Sequence, residues 1–179
     1  GIGVILGAAI GGGEVVKTIS GGIIPSSFIS IKIVVIILFS ATFSLFLSNL
    51  LGIPLSTSEV TVGSVVGVGI AFQALYVNSL LWIVMFWVIV PIVAFAIAFL
   101  FIKIFHHFKL SEKYAFEGKI ITWLLIFAGF FEAFSAGMNN VANAVGPLVS
   151  AGIITVSKGT FIGGAFVALG ALFLGRRVL

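Results

Sequence analysis

Between Leu80 and about Phe105 the chain carries no charge except Lys103, and nearly every side chain there is aliphatic or aromatic. An apolar run of that length has one stable arrangement in lipid: a helix of about 20 residues or more, which satisfies its backbone polar groups internally. The extra length permits tilt, and Pro91 predicts a kink. The remainder of the 179 residues follows the same rule, being 61% hydrophobic overall with only 8% charged side chains. Soluble domains carry about a quarter charged residues. At about 20 residues per span plus connections, the length allows about five to seven membrane segments. The expectation is an all-α integral membrane protein, a polytopic helical bundle whose 22 glycines permit close helix contact.

Punctuation along the chain divides it further. Gly1 to about Ile19 reads as a glycine-rich apolar segment interrupted by Glu14 and Lys17, and Ser20 to Ser30 as a connection. A second span runs from about Ile31 to Leu51. Gly52-Ile-Pro-Leu-Ser-Thr-Ser-Glu59 then breaks the apolar run and restarts it as a helix from Glu59 to Val77, with Gly63, Gly67 and Gly69 giving a thin face. His106 to Lys119 is the one extended polar stretch, and its lysines and histidines place it in the cytoplasm. The next helix starts near Ile120, is interrupted at Gly146-Pro147 and continues as a second arm to about Ile154. A last span covers Gly159 to Leu174, with Arg176-Arg177 as an interfacial anchor.

The net charge of +4 comes from basic residues scattered near segment ends, which fits cytoplasmic loops and does not point to nucleic acid. Cysteine is absent, so disulfides and thiolate metal sites are excluded. His106 and His107 read as solvated loop residues, and no His/Asp/Cys metal set stands out, which argues against an intramembrane enzyme. No signal peptide is visible, and Gly1 lies within an apolar stretch, so the chain reads as an internal piece of a longer protein.

Two polar blocks stand out. Ser135 to Pro147 holds Asn139, Asn140 and Asn143 in otherwise apolar surroundings. On a helix Asn139 and Asn143 are four apart and Asn140 and Asn143 three apart, so their amides can converge on one partner or polar guest. Ser56, Thr57 and Ser58 stand where a helix begins. They suit N-capping, and they equally suit an anion site, where free N–H groups and the positive end of the helix dipole meet. Three carboxylates, Glu14, Glu59 and Glu132, lie in or beside apolar segments, where a charge needs a partner or a cavity. Glu14 has Lys17 one turn on, and an internal ion pair is its simplest account. Glu132 shares a helical face with Ser135, Asn139 and Asn143, which suits either site lining or a protonated hydrogen bond between helices.

Gly137-Met-Asn-Asn-Val-Ala-Asn-Ala-Val-Gly-Pro147 resembles the signature of the inorganic phosphate transporter family, usually Gly-Ala-Asn-Asp-Val-Ala-Asn-Ala-x-Gly-Pro. Gly52-Ile-Pro-Leu-Ser-Thr-Ser-Glu59 is similar to its second motif, Gly-Leu-Pro-Val-Ser-Thr-Thr-His. The whole chain resembles the sulfate-permease branch of that family. The resemblance implies two inverted repeats with broken or re-entrant helices, each repeat bearing both motifs. It assigns residues 1–105 to the later part of the first repeat, 106–119 to the central cytoplasmic loop, and 120–179 to the early part of the second. Such a piece holds about half of a binding site and does not transport alone. The resemblance also makes Asn139, Asn140, Asn143, Ser56, Thr57 and Ser58 anion-site or cation-site positions, with Glu59, Glu132 and Glu14 left for ion coupling or site lining.

Two departures from the family pattern matter: Asn140 stands where Asp is usual, and Glu59 where His is usual. Phosphate near neutral pH keeps a proton that a carboxylate can accept, whereas sulfate offers only acceptors, so an amide donor favours sulfate. An amide is also a poorer hard-cation ligand than a carboxylate, which weakens sodium coupling and favours protons carried by Glu59 or Glu132. The expected function is a symporter of the cell membrane for a tetrahedral oxyanion, sulfate ahead of phosphate, driven by H+ or Na+ and needing no cofactor. A channel or a membrane-embedded structural subunit is the rival of another class, and homo-oligomerisation stays open.

Overall fold

The structure is a computed structural model and describes residues 1–107 and 118–174. Residues 108–117 of the expected cytoplasmic loop and the Arg176-Arg177 anchor lie outside the described residues. Among the described residues the chain is helical: α1 (Ile2–Gly21), a single 3-10 turn (Ser26–Phe28), α2 (Ile31–Leu51), α3 (Thr57–Ala71), α4 (Val77–His107), α5 (Gly118–Ser150) and α6 (Val156–Leu174). Five of these, all but α3, are long and apolar enough to cross a membrane.

The chain forms two compact units, one containing residues 1–77 with the chain from Phe130 onward, the other Asn78–Gly129. The second unit is α4 and the opening turns of α5. Its α4 runs unbroken through Pro91, and its apolar span buries none of its residues within the chain. In lipid such a surface needs no protein cover, because acyl tails are as apolar as the side chains.

In the first unit α1, α5 and α6 pack almost backbone to backbone. A Cβ added to Gly3, Gly7 or Gly11 would meet Phe130, Phe134 or Met138 respectively, and Ile19 lies against Gly146. Both partners advance by the same number of residues along this series, so α1 and α5 run parallel in a fixed register. Helix α6 runs antiparallel to both, with Gly164 against Ala8 and Ile5, Gly12 against Thr160, and Gly163 and Gly159 against Val141 and Val145. Ala8, Val16, Ile19, Val141, Ala142 and Val145 form the buried core. At the far end of this trio the Ser150 hydroxyl donates to the Ser20 carbonyl.

Helices α2 and α3 pack against each other as a hairpin. The buried residues of α3, Thr61, Val62, Val65, Val68 and Gly69, recur at helical spacing and mark one face. Of the three glycines expected to thin α3, only Gly69 meets close neighbours, Leu75 and Ile24; Gly63 and Gly67 face open space. The C-terminal end of α3 is tied to the α1–α2 connection by the Tyr76 N–H to Ile23 carbonyl bond (2.9 Å) and by Phe28 against Phe72.

The structure corrects several expected boundaries. Helix α5 continues through Pro147 to Ser150 instead of breaking at Gly146-Pro147. Proline removes one N–H, costing the bond to the carbonyl four residues back. Pro147 is fully buried, so its ring gains packing that offsets that loss. The interruption comes at Gly152, whose φ of 68° ends the helix in the left-handed region. There the Gly152 N–H bonds the Val149 carbonyl and the Ile153 N–H the Leu148 carbonyl. Gly52 ends α2 the same way (φ 67°), with Ile53 N–H on Ser48. These are the paired bonds of a Schellman cap, which satisfy the orphan carbonyls of a helix end. Glu59–Val77, expected as one helix, is instead α3 from Thr57 to Ala71 with a turn before α4. His106, His107, Gly118 and Lys119 are helical rather than loop, and Lys158 lies inside α6.

Candidate functional site

The second polar motif lies at the start of α3, whose first intrahelical bond runs from the Val60 N–H to the Ser56 carbonyl (3.1 Å). The N–H groups of Thr57, Ser58 and Glu59 precede it and have no helical acceptor. Ser56 occupies the N-cap position with extended backbone, yet its side chain makes no capping bond. The neighbouring hydroxyls do not cap either. They point across to α5.

There the asparagine block meets them. The Thr57 hydroxyl donates to Asn140 Oδ1 at 2.7 Å. The Asn143 amide donates to both Thr57 Oγ1 (3.4 Å) and Ser58 Oγ (3.2 Å). Ser58 Oγ also accepts from Asn139 Nδ2 (2.8 Å) and donates to Asn139 Oδ1 (3.1 Å). Thus two consecutive hydroxyls engage all three amides, from positions more than eighty residues away along the chain. The helical spacing of Asn139, Asn140 and Asn143 allows this convergence, as expected from the sequence. Asn143 is only 5% exposed, so satisfying its two N–H donors here avoids a substantial desolvation penalty.

Helix rise places the cluster part-way along both helices. Asn140 is about 15 Å along α5 from the Ser150–Ser20 tie, and Thr57 about 20 Å along α3 from its Ala71 end.

Beside the cluster is a pocket of about 140 Å³. Helix α2 contributes Thr42 and Leu45, α3 contributes Thr57 and Thr61, and α5 contributes Asn140 and Asn143, with apolar residues between. Among the described residues neither carboxylate nor cationic side chains line it. Its volume holds a few waters, at about 30 Å³ each, or one small polyatomic guest. The Asn140 amide presents its NH2 with no acceptor among the described residues, because Thr57 occupies only its oxygen.

The three carboxylates lie elsewhere. Glu14 pairs with Lys17 at 2.7 Å, with both side chains well exposed, as the local spacing suggested. Glu59 is exposed in the first turn of α3, where a negative charge favours the helix dipole. Glu132 is exposed on α5, about 10 Å along the helix from Asn139, and lines no part of the pocket. Thr61 and Thr42 were not singled out from sequence. Thr61 carried a usable signal, because it lies one turn beyond Thr57 on the same face of α3.

The sequence is similar to known proteins. The match to the Phosphate transporter family extends over residues 1–179. "Sulfate permease CysP" of Bacillus subtilis (strain 168) is 65% identical over 178 residues, covering 99% of this chain and 50% of the relative. A "Putative phosphate permease" of Helicobacter pylori is 38% identical over 108 residues, covering 56% of this chain and 20% of the relative. Another "Putative phosphate permease", from Chlamydia muridarum, is 47% identical over 60 residues, 32% of this chain and 14% of that protein. The chain therefore spans about half the length of the sulfate permease and less of the other two. No solved structure is a significant match. With the family match covering every residue and both polar motifs meeting beside one pocket, this multi-pass membrane chain belongs to the phosphate transporter family.

Proposed function

We propose that this chain is part of a secondary transporter for a tetrahedral inorganic oxyanion, sulfate in preference to phosphate, and that the pocket between α2, α3 and α5 is part of its anion site. The observation that carries the reading is the crossing of the Thr57 and Ser58 hydroxyls with the Asn139, Asn140 and Asn143 amides beside a pocket without a carboxylate. Such a pocket offers an anion amide N–H, hydroxyl and helix-start N–H donors while setting no like charge against it. Sulfate, all acceptor, matches that lining. The similarity to a protein named sulfate permease supports the same choice.

In this proposal residues 1–105 belong to the first repeat and 120–179 to the second, so α3 and α5 bring one motif from each. The remaining half of the site comes from the other copy of each motif. Binding exchanges bonds within the cluster for bonds to the anion: Thr57 turns from Asn140 Oδ1 to an anion oxygen, and Asn143 turns from the hydroxyls. Rocking of the two repeats then exposes the site to alternate sides. Coupling is to protons, with Glu59 or Glu132 as the carrier, since Asn140 supplies no carboxylate for sodium. The protein resides in the cell membrane with 106–119 on the cytoplasmic side, where its basic residues favour it.

The test is radiolabelled sulfate uptake by the complete protein in proteoliposomes, with thiosulfate and phosphate as competitors, at two pH values with and without sodium. Saturable sulfate uptake, weak phosphate competition and loss of uptake in Asn140→Ala with Thr57→Val are expected. Unchanged uptake in that double variant would overturn the site, and strong phosphate competition would reverse the substrate.

A further inference from the structure

Several helix hydroxyls in this chain bond their own helix, and Thr61 does not. Thr18 donates to the Glu14 carbonyl, Ser20 to Lys17, Ser48 to Leu45, Ser64 to Val60 and Thr160 to Ser157, each reaching back three or four residues along its own helix. That is the ordinary refuge of a hydroxyl in an apolar setting. Thr61 is 4% exposed and lies in the middle of α3, yet no carbonyl or side chain among the described residues accepts from it. Its neighbours Val60 and Val62 show that this stretch accommodates the same branched shape without a hydroxyl. The small surface that Thr61 keeps faces the pocket shared with Thr57, Asn140 and Asn143.

We infer that Thr61 contacts the transported anion, donating its hydroxyl hydrogen to an anion oxygen; this rests on the anion-site reading above. The Thr61 hydroxyl has no acceptor among the described residues and is not sealed off from the pocket, so a guest there can supply the missing acceptor. Thr57, Ser58, Asn139 and the Asn143 amide are already engaged with one another, so the anion gains them only by exchange. Thr61, Thr42 and the Asn140 NH2 are the pocket's side-chain donors without a protein acceptor among the described residues, so bonds from them to the anion break none within the protein. Thr42 is exposed, whereas Thr61 is buried beside the amide cluster. Thr61 and Asn140 lie on different helices, α3 and α5, and a tetrahedral guest presents oxygens in several directions at once. Thr61 is thereby an affinity determinant that acts through a neutral, non-titrating donor.

The experiment compares Thr61→Val, Thr61→Ala, Thr61→Ser and Asn140→Ala in the complete protein reconstituted in proteoliposomes. Sulfate uptake kinetics and thermal unfolding are read for each. Thr61→Val keeps the shape and removes the donor: its KM for sulfate rises about tenfold, the scale of one hydrogen bond to a charged group, while its unfolding temperature does not fall. Thr61→Ser restores the KM to within about twofold of the parent, a rescue that a packing role for the γ-methyl would not produce. Should Thr61→Val lose its fold, Thr61→Ala against Thr61→Ser reads the same hydroxyl. A parental KM in the donor-less variants alongside a raised KM in Asn140→Ala overturns the Thr61 contact alone. A parental KM in all four overturns the anion-site reading, and this inference with it.

Discussion

Gly7 and Gly137 answer each other across the α1–α5 contact. Gly7 sits on the carbonyl of Phe134, one turn before Gly137, and Gly137 sits on the carbonyl of Val4, one turn before Gly7. A Cβ on either would overlap the opposing backbone, which cannot swing aside as a side chain can. Gly7→Ala and Gly137→Ala should each destabilise the protein by about 1–3 kcal/mol, as overpacking does. Gly63→Ala, at a helical position facing open space, should cost nothing and gain a few tenths of a kcal/mol or more from reduced unfolded-state entropy. Thermal unfolding in one detergent, comparing the three variants with the parent, checks both halves.

Asn143→Asp separates structural from ligand-binding roles at the centre of the cluster. The Thr57 and Ser58 hydroxyls can donate to a carboxylate there, so the α3–α5 contact should persist. Two amide donors are lost, however, and a buried negative charge is set beside the pocket. Like-charge juxtaposition costs several kcal/mol, so sulfate uptake should fall by about a hundredfold or more. Uptake retained within tenfold would show that no anion binds there.

Asn140→Asp should move preference towards phosphate. A carboxylate can accept the proton of hydrogen phosphate and repels an anion that has none. The expected reading is a rise in the ratio of phosphate to sulfate kcat/KM by about tenfold or more, the value of one hydrogen bond gained or lost at a charge. An unchanged ratio would mean that this position does not read the anion's protonation.

The Glu14–Lys17 pair should be nearly silent. Both side chains are well exposed and one turn apart, and such pairs couple by less than about 1 kcal/mol. A double-mutant cycle with Glu14→Gln and Lys17→Met should return a coupling of that size, with sulfate uptake within twofold of the parent. A loss of uptake confined to Glu14→Gln would instead place this carboxylate in ion coupling.

How much of this was legible in the residues depended on range. Helix identity followed from apolar length, and the break at Gly52 with a helix restart before Val60 from local chemistry alone. Convergence of Asn139, Asn140 and Asn143 followed from helical spacing. Their meeting with Thr57 and Ser58 did not, because no local signal encodes a contact across more than eighty residues; the family resemblance supplied that pairing. Pro147 misled because the local rule counts the lost N–H bond and not the burial of the ring. Thr61 passed unnoticed for the opposite reason: an isolated threonine among valines is ordinary until its lack of an acceptor is seen in three dimensions.

The interlocking of α1 with α5 limits the motions open to this unit. With glycines seated on opposing carbonyls at successive turns, those two helices have no shallow sliding coordinate. Any slip must carry one past the other by a full turn, about 5.4 Å, before glycine again faces carbonyl. They therefore act as a pivot between the proposed repeats rather than as a sliding seam, and finer adjustments around a guest fall to the α2–α3 hairpin. The start of α3 is held to α5 by the hydroxyl–amide bonds of Thr57 and Ser58, a contact that a polar guest accepting from those same groups can undo.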